Sequence, residues 1–386
     1  MVERLSLVDF RNYEQAEVRL DRGATVIVGR NGQGKTNLVE AFAFLATGSS
    51  HRVATDAALV RAGRDHAIVR ARLGHGDRRL ELETRIARSG PNRITAGGSP
   101  VRAAELPRYA RVVVFAPEDL QIVRGEPAAR RRFADELVAQ RSPRMSAVLA
   151  DYDRVVRQRN ALLKSSRGLG DAALGTLDVW DEKLVALGSQ IIDARAALAA
   201  QLQPLVAGAY AEIAGADHAP ALTWSTTIDG ADPEDEPDAV GRERGEPTPA
   251  AFRRALESRR RAERDRGATL VGPHRDDLLV SVRSLPVRGY ASHGESWSMA
   301  LALRLASAEL LAAESALGDP VVILDDVFAE LDADRRDRLG ALVARFEQVL
   351  VTAAVEADVP ETLRDRILRV EAGRIDAGEA DDDGGA

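Results

Sequence analysis

The sequence predicts an α/β fold in which a mixed β-sheet is built from both ends of the chain and a mainly helical lobe is inserted between them. Three observations lead to this prediction. Over residues 1–115, apolar residues alternate or run in short stretches between Gly, Asn and Asp turns, as strands do. Over residues 127–214, Ala, Leu, Arg and Glu dominate at helical spacing. After an acidic segment, strands and helices alternate again.

These changes of pattern divide the chain of 386 residues into four parts, and that length is enough for two packed lobes. We predict that residues 1–126 and 268–377 form a sheet-containing lobe I and that residues 127–267 form a helical lobe II. Residues 228–250 and the tail 378–386 are acidic and poor in large apolar side chains, which predicts disorder in both.

Composition restricts the class of protein. Hydrophobic residues make up 45% of the chain and charged residues 29%, as in ordinary globular proteins, and no apolar stretch is long enough to span a bilayer. Charges interrupt the first 13 residues, so we expect no secretion signal, no membrane partner and a cytoplasmic location. The chain has no cysteine, which rules out disulfides and thiolate metal sites, and its six histidines show no paired metal-ligand spacing.

The stretch GRNGQGKT follows the apolar run 24–28 and precedes a predicted helix. Its glycine, lysine and threonine spacing is that of a phosphate-binding P-loop, in which backbone N–H groups and the start of a helix surround phosphates. Lys35, one of only three lysines in the chain, would neutralise phosphate charge, and the Thr36 hydroxyl would bind Mg²⁺. The candidate nucleotide-binding residues are Gly29, Arg30, Asn31, Gly32, Gln33, Gly34, Lys35 and Thr36.

A second element is VVILDD, residues 321–326, an all-apolar run typical of a parallel strand buried on both faces. It ends in two carboxylates at the edge of the sheet where α/β proteins bind ligands. We predict that Asp325 holds Mg²⁺ and that Asp326 orients or deprotonates the attacking water. Buried strands often end in such carboxylates, so this prediction depends on the P-loop upstream.

A third element is Ser292-x-x-Glu295, which comes before an apolar helical pattern. Ser292 and Glu295 match a capping box, which any helix could use to satisfy its first backbone N–H groups. The same helix start, behind Gly294, would also present free N–H groups to an anion. The residues alone leave both interpretations open.

In chain order, the P-loop, SHGES, VVILDD and AELD resemble the head of an ABC-type ATPase. Further stretches resemble, more specifically, the RecF family in the SMC-like group of these ATPases, and together they cover nearly the whole chain. These are FRNY (residues 10–13), NGQGKTNLVEA (31–41), FAPEDLQIVRGEPAARRRFAD (115–135), GPHRDDL (272–278) and LDDVFAELD (324–332).

This resemblance implies that ATP and Mg²⁺ bind between the P-loop of one subunit and Ser292 and Gly294 of another. The resulting ATP-dependent homodimer would close around single- or double-stranded DNA without sequence preference during recombinational repair. RecR and RecO are the implied protein partners, and the implied activity is a weak, DNA-stimulated ATPase.

The sequence also departs from the usual pattern of ABC-type ATPases. Asp326 stands where ABC-type ATPases usually have glutamate, which implies slow hydrolysis. VLVTAA, residues 349–354, lacks the usual switch histidine and leaves Thr352 as a possible substitute. Gln121 and Glu118 are both candidates for the Q-loop residue.

Charge is relevant to DNA binding. The formal net charge is −7, but the acidic residues concentrate in segment 228–250 and in the tail, so the remainder is less acidic. Solvated helix faces are an alternative explanation for each basic cluster. Our candidate DNA contacts are Arg130, Arg131, Arg132, Arg141 and Arg144.

Two other functions compete with this interpretation. The first is another SMC-type ATPase head, although the sequence lacks a long heptad arm between the two parts of lobe I. The second is a metabolic P-loop kinase, which would have a closed small-molecule pocket and no signature segment. Stimulation of ATP turnover by DNA would separate the kinase from the other two.

Overall fold

The computed structural model describes residues 1–53, 55–165, 177–231, 245–315 and 318–377. The chain forms two compact units, and each is made of more than one segment. The first unit comprises Met1–Leu120, Gly208–Asp217 and His293–Ala386, and the second comprises Gln121–Ala207 and His218–Ser292.

The bounds of the strands and helices follow the predicted order of a strand-rich, a helical and a mixed region. The strands are β1 (Val2–Phe10), β2 (Tyr13–Arg19), β3 (Gly23–Val28), β4 (His66–His75), β5 (Arg78–Ala87), β6 (Arg93–Ala96), β7 (Ser99–Pro100), β8 (Val112–Phe115), β9 (Ala221–Ser225), β10 (Asp277–Val282), β11 (Leu285–Pro286), β12 (Val321–Asp325), β13 (Gln348–Ala353), β14 (Arg366–Glu371) and β15 (Arg374–Ala377). The helices are α1 (Lys35–Thr47), α2 (Leu120–Arg124), α3 (Pro127–Arg141), α4 (Pro143–Ser165), α5 (Leu177–Ala214), α6 (Thr248–Arg266), α7 (Val287–Tyr290), α8 (His293–Ala313) and α9 (Ala333–Val343).

The α/β prediction for the sheet-containing part is confirmed, but its strands form two sheets rather than one. An antiparallel sheet has the order β2-β1-β4-β5-β6-β7. Its strands alternate between core and solvent: in β4, Val69 and Ala71 are buried whereas Arg70 and Arg72 are exposed. This period of two places one face of the sheet against the core and leaves the other to water.

The second sheet of this unit has the order β15-β14-β3-β13-β12-β8. All its neighbouring strands run parallel except β14 and β15. Every residue of β12 and of β13 is buried, as expected for strands covered on both faces. Helix α1 belongs to the same hydrophobic core as residues of both sheets. Because β3, β13 and β12 are adjacent and parallel, the loops that follow them lie at one edge of this sheet.

The second unit is mainly helical and has its own core. Residues of α4, α5 and α6 form this core together with the buried side chain of Ile228. A three-stranded antiparallel sheet of order β11-β10-β9 completes the unit. The prediction of an inserted, mainly helical lobe therefore describes this unit.

The observed division differs from the predicted one near residue 268. The sequence predicts that residues 268–377 resume the sheet of lobe I, but their first strand, β10 (Asp277–Val282), pairs with β9 and β11 in the second unit. The reason is that an alternating pattern predicts a strand without specifying its partner. Residues 208–217 also belong to the first unit, which the sequence does not predict.

The predicted disorder of segment 228–250 is wrong at both of its ends. Ile228 is completely buried, and α6 already begins at Thr248. Residues 232–244 of that segment and the tail 378–386 lie outside the described residues. Among the helices of the described ranges, none has the length and apolar character required to cross a membrane.

Candidate nucleotide-binding site

Two positions in the loop between β3 and α1 accept only glycine. Gly34 precedes α1 with a φ of 120°, and a Cβ atom there would lie 2.7 Å from Asn12 Nδ2. A Cβ atom on Gly29 would lie 2.3 Å from the carbonyl oxygen of Val370. Both glycines are therefore needed for the chain to turn directly from the strand into the helix.

Hydrogen bonds from neighbouring segments hold the loop between β3 and α1 in place. Asn12 Nδ2 donates to the carbonyl oxygen of Gln33 at 2.9 Å, and the Tyr13 hydroxyl donates to that of Gly34 at 3.0 Å. The backbone N–H of Ala372 donates to Gln33 Oε1 at 2.6 Å. Gln33 thus fixes the loop, and the FRNY stretch supplies Asn12 and Tyr13, which sequence reasoning does not identify as site residues.

Lys35 is the cation of the site, and its side chain is only 3% exposed. Its ammonium lies 3.5 Å from both the carbonyl oxygen of Arg30 and Asn31 Oδ1, and 4.0 Å from Asp326 Oδ1. These distances are long for the contacts of a buried ammonium group. An anion at closer range would stabilise the ammonium strongly. The loop therefore provides a cation, backbone N–H groups and a helix start, which is the donor set that a polyphosphate requires.

Asp325 lies at the centre of a hydroxyl network. Its Oδ1 atom accepts hydrogen bonds from Thr36 Oγ1 at 2.9 Å and from Thr352 Oγ1 at 2.7 Å. Burial raises the pKa of Asp325, while the two hydroxyl donors oppose that rise. A hydroxyl and a carboxylate beside a phosphate loop are the oxygen ligands that suit Mg²⁺, with phosphate and water completing the shell. The structure thus brings together Thr36 and Asp325, the two residues predicted to hold Mg²⁺.

No cluster of three or more acidic or histidine side chains suited to a metal occurs in the ranges that the structure describes.

Asp326 follows directly, with a backbone φ of 52° that is uncommon for a residue other than glycine. Its backbone N–H donates to Thr352 Oγ1 at 2.9 Å, and its side chain is 36% exposed. The Asp326 carboxylate is therefore partly open to solvent beside Lys35, whereas Asp325 is enclosed.

Thr352 is fully buried, and its single hydroxyl both donates to Asp325 and accepts from Asp326. This arrangement makes Thr352 a positioning residue for the two carboxylates. The sequence proposes Thr352 as a possible substitute for the usual switch histidine, and that role stays a prediction.

The signature-like segment lies at the start of α8. Ser292 is exposed and immediately precedes the helix. A Cβ atom on Gly294 would lie 2.8 Å from Arg335 Nη2, and the atoms nearest to it all belong to that arginine. The structure thus brings together Lys35, Thr36, Asp325, Asp326 and Thr352, whereas the position of Gly294 is set by α9.

The two Q-loop candidates belong to different units. Glu118 is exposed and follows β8, which pairs with β12 up to the Leu324–Phe115 pair, so Glu118 lies at the same sheet edge as Asp325. Its neighbour Asp119 is buried and accepts two hydrogen bonds from Arg304. Gln121 is the first residue of the second unit. The geometry favours Glu118.

Sequence reasoning misses a buried group behind the P-loop. Glu40 of α1 is completely buried and accepts hydrogen bonds from Arg11, Ser50 and Arg52. Burial favours a raised pKa for Glu40, but the hydrogen bonds and charges of its partners more than offset burial and lower it. Ser50 and Arg52 lie in the loop that follows α1, so their hydrogen bonds to Glu40 tie this loop to the helix.

His51 lies beside that group with both ring nitrogens buried and without a hydrogen-bond partner in the described part of the chain. Burial lowers the pKa of His51. Nearby carboxylates, which include Asp325 and Glu118, oppose this lowering. A lone histidine in a loop gives no signal in sequence, so only the fold reveals its place near the site.

The five arginines predicted to contact DNA differ in their environments. Arg130 is 5% exposed and forms a bidentate ion pair with Asp277 at 2.6 and 2.8 Å, so its guanidinium group is already engaged within the fold. Arg131 is half-buried and donates to the carbonyl oxygen of Asp276. Only tertiary packing determines which arginines of a basic helix turn inward. Arg132 and Arg144 are exposed, whereas Arg141 is half-buried and donates to Gln201 Oε1 at 2.6 Å.

Comparison with known proteins points to one family. The family model described as "RecF/RecN/SMC N terminal domain" matches residues 1–374. The chain is 53% identical to the DNA replication and repair protein RecF of Clavibacter michiganensis subsp. michiganensis, with 100% of this chain and 99% of that protein covered. It is also 53% identical to the RecF of Leifsonia xyli subsp. xyli, with coverage of 97% and 98%.

Comparison with solved structures points to the same family. The structure of the recombination mediator protein RecF with ATP, from the RecFOR pathway, superposes with a TM-score of 0.84 at 26% identity, covering 98% of this chain and 97% of that one. An Smc head bound to the C-terminal winged-helix domain of ScpA superposes with a TM-score of 0.53 at 14% identity, covering 97% and 95%, which shows a shared fold alone.

Proposed function

This chain belongs to the RecF family within the RecF/RecN/SMC group, and we propose that it is an ATP-dependent DNA-binding protein of recombinational repair and replication-fork maintenance. The observation that carries the proposal is the group formed by Thr36 and the buried Lys35, Asp325 and Thr352 at the carboxyl ends of β3, β12 and β13. The solved structure of RecF with ATP has this fold, which supports ATP as the ligand.

In this proposal, the N–H groups of the loop and the Lys35 ammonium bind the phosphates of ATP. Thr36 and Asp325 hold Mg²⁺, which when bound neutralises the charge that develops on the phosphates. The Thr352 hydroxyl keeps the Asp325 carboxylate directed toward Thr36.

Asp326 is the residue that acts on water. Its carboxylate is partly exposed beside Lys35 and accepts the proton of the attacking water in our proposal. An aspartate is one methylene shorter than the glutamate usual in ABC-type ATPases, so its oxygens reach less far toward the γ-phosphate. We therefore propose slow hydrolysis that DNA stimulates.

Dimerisation is proposed from the exposure of Ser292 at the start of α8. Ser292 is exposed immediately before α8, and the positive end of the dipole of this helix of 21 residues would attract the γ-phosphate of an ATP molecule on a second subunit. Each ATP would thereby join two copies of the chain, and the ATP-bound homodimer would hold DNA.

In this proposal, the preferred DNA structure and the protein partners are inferred from the family. We propose that the dimer binds DNA at gaps or single-strand/double-strand junctions, without sequence preference, and helps to load recombinase together with RecO and RecR. The similarity to a recombination mediator of the RecFOR pathway supports these partners.

The test is ATP binding and turnover, each measured with and without duplex DNA. We expect Lys35→Ala to lose ATP binding while its melting temperature without nucleotide stays close to that of the parent. Lys164→Ala, which changes an exposed lysine at the end of α4, is the matched control and should behave as the parent. Nucleotide affinity retained by Lys35→Ala, or turnover that DNA leaves unchanged, would contradict the proposal.

A further inference from the structure

We propose that the turn between β14 and β15 positions the P-loop for ATP, with Gln33 and Gly373 as the residues through which it acts. This inference rests on the ATP binding proposed above and names contacts that set its affinity. The P-loop is residues 29–36, and the turn consists of Ala372 and Gly373, the two residues between these strands. Sequence reasoning assigns no role to this turn.

The hairpin of β14 and β15 contacts the P-loop at two places. Strand β14 pairs in parallel with β3, and a Cβ atom on Gly29 would lie 2.3 Å from the carbonyl oxygen of Val370. At the turn, the backbone N–H of Ala372 donates to Gln33 Oε1 at 2.6 Å, and that of Gly373 donates to the Gln33 carbonyl oxygen at 3.1 Å. The hairpin backbone therefore fixes both the first residue and the middle of the loop.

Asn12, which lies between β1 and β2, contacts both the P-loop and the turn. Its Nδ2 atom donates to the Gln33 carbonyl oxygen at 2.9 Å. A Cβ atom on Gly373 would lie 3.0 Å from the carbonyl oxygen of Asn12, so a larger residue would crowd Asn12 and push the turn away from the loop. Gln33 thus accepts three hydrogen bonds, one at Oε1 and two at its carbonyl oxygen.

The residues of the P-loop between these two places are open. Arg30, Asn31 and Gly32 are exposed, and a Cβ atom on Gly32 would meet no atom within 4 Å. The contacts therefore hold the loop on either side of its open part and leave that part accessible to phosphates. A loop that is held in place before its ligand arrives loses less conformational entropy on binding, which increases affinity.

A purely structural role for these contacts predicts a different outcome. Removing contacts that only stabilise the fold lowers the melting temperature and leaves the ATP affinity of the folded protein unchanged. Removing contacts that position the P-loop weakens ATP binding in a protein that is still folded. Because the Gln33 side chain bonds to the turn, its loss should affect turnover of bound ATP much less than affinity.

The first experiment removes the acceptor atom of the loop. Gln33→Met keeps the length of the side chain but lacks Oε1. Gln15→Met makes the same change at an exposed position of β2 and is the matched control. ATP affinity with Mg²⁺, turnover at saturating ATP and the melting temperature without nucleotide are measured for the full chain.

We expect Gln33→Met to bind ATP about 3- to 10-fold more weakly than the parent, through the loss of one hydrogen bond. Turnover at saturating ATP should change by less than about 2-fold, so that KM rises while kcat stays nearly constant. Gln15→Met should match the parent in all three measurements.

The second experiment alters the turn. Gly373→Ala brings a Cβ atom against Asn12. Gly98→Ala is its control, because Gly98 is the second residue of the two-residue turn between β6 and β7, where a Cβ atom would meet nothing within 4 Å. The φ angles of Gly373 and Gly98 are 76° and 79°, so both substitutions strain the backbone alike. We expect Gly373→Ala to bind ATP at least as weakly as Gln33→Met, and Gly98→Ala to bind ATP as the parent does.

If Gly373→Ala does not fold, the comparison of Gln33→Met with Gln15→Met decides alone. Parent-like ATP affinity in Gln33→Met would overturn this inference and leave the proposed function intact. Equal losses of ATP affinity in Gly373→Ala and Gly98→Ala would also overturn it, because backbone strain would then explain both. If the parent binds no ATP, the proposed function fails together with the inference.

Discussion

Thr36 and Asp325 are 289 positions apart in the chain, yet the Thr36 hydroxyl donates a hydrogen bond of 2.9 Å to the Asp325 carboxylate. The contact joins the first turn of α1 to the end of β12. It exists because β3 and β12 are both neighbours of β13 in a parallel sheet, which aligns their carboxyl ends. The candidate site thus depends on segments from both ends of the chain.

The first prediction separates the two neighbouring carboxylates. Asp325→Asn keeps an oxygen for the two threonine hydroxyls but removes the charge, so Mg²⁺-dependent ATP binding should weaken. Asp326→Asn should retain ATP binding, while turnover falls by about 100-fold or more through loss of the general base. Nucleotide titrations with and without Mg²⁺, together with turnover rates, check both.

Asp337→Asn is the control for this pair, because Asp337 is an exposed carboxylate on α9 outside the site. It should leave binding and turnover unchanged. Equal and mild effects of Asp325→Asn and Asp326→Asn would contradict the division of roles.

The second prediction concerns Ser292. Ser292→Arg should bind ATP as a monomer but fail to dimerise, because the bulky cation blocks the start of α8 that we assign to the ATP of the partner subunit. Ser99→Arg, at an exposed position on β7, serves as a control and should dimerise. Solution mass and ATP affinity are the measurements. Normal ATP-dependent dimers of Ser292→Arg would leave Ser292 with a helix-capping role alone.

The third prediction contrasts two neighbouring arginines of α3. Arg130→Gln breaks the buried pair with Asp277 and should reduce the free energy of unfolding by about 2–3 kcal/mol. Arg132→Gln changes an exposed side chain and should alter stability by less than about 0.5 kcal/mol. Urea unfolding of the two variants measures this difference, and equal stabilities would show that the Arg130–Asp277 pair contributes little.

The fourth prediction is a pH dependence of the second unit. Burial lowers the pKa of His274 to about 4, so acidification below pH 6.5 protonates this residue in the unfolded chain first and destabilises the fold. Burial raises the pKa of Asp276 to about 6, so the folded chain keeps a proton that the unfolded chain loses above about pH 4. The two contributions have opposite signs and largely offset each other.

Asp276→Asn removes one of the two contributions. Between pH 7 and pH 4.5, the unfolding free energy of the variant should fall by about 2 kcal/mol more than that of the parent, because the variant lacks the Asp276 contribution that offsets the His274 contribution. Urea unfolding at several pH values measures the difference. Parallel pH profiles for parent and variant would show that these buried groups do not control stability in this range.

Much of the site is predictable from sequence because its signals are local. Glycine, lysine and threonine at fixed spacing identify the P-loop, and an apolar run ending in Asp325 and Asp326 identifies the neighbouring strand. The rule that parallel strands present their carboxyl ends at one edge then predicts that the two elements meet. The contact between Thr36 and Asp325 bears out that step.

The remaining features depend on tertiary packing that no local pattern encodes. An alternating strand does not specify its partner, so the sequence assigns β10 to the wrong sheet. A basic helix does not show which arginines turn inward, so the sequence predicts a surface position for Arg130. His51 becomes notable only beside the carboxylates that the fold places near it.

We propose that ATP joins two copies of this chain through Lys35 on one subunit and Ser292 on the other. The most direct test is the mass of the protein in solution, measured by light scattering or sedimentation with and without ATP and Mg²⁺, using Asp326→Asn to slow turnover. We predict a monomer without nucleotide and a dimer with both ATP and Mg²⁺, whereas Lys35→Ala and Ser292→Arg stay monomeric in either condition. A mass that ATP and Mg²⁺ leave unchanged, or a dimer that forms equally well with Lys35→Ala, would contradict the account.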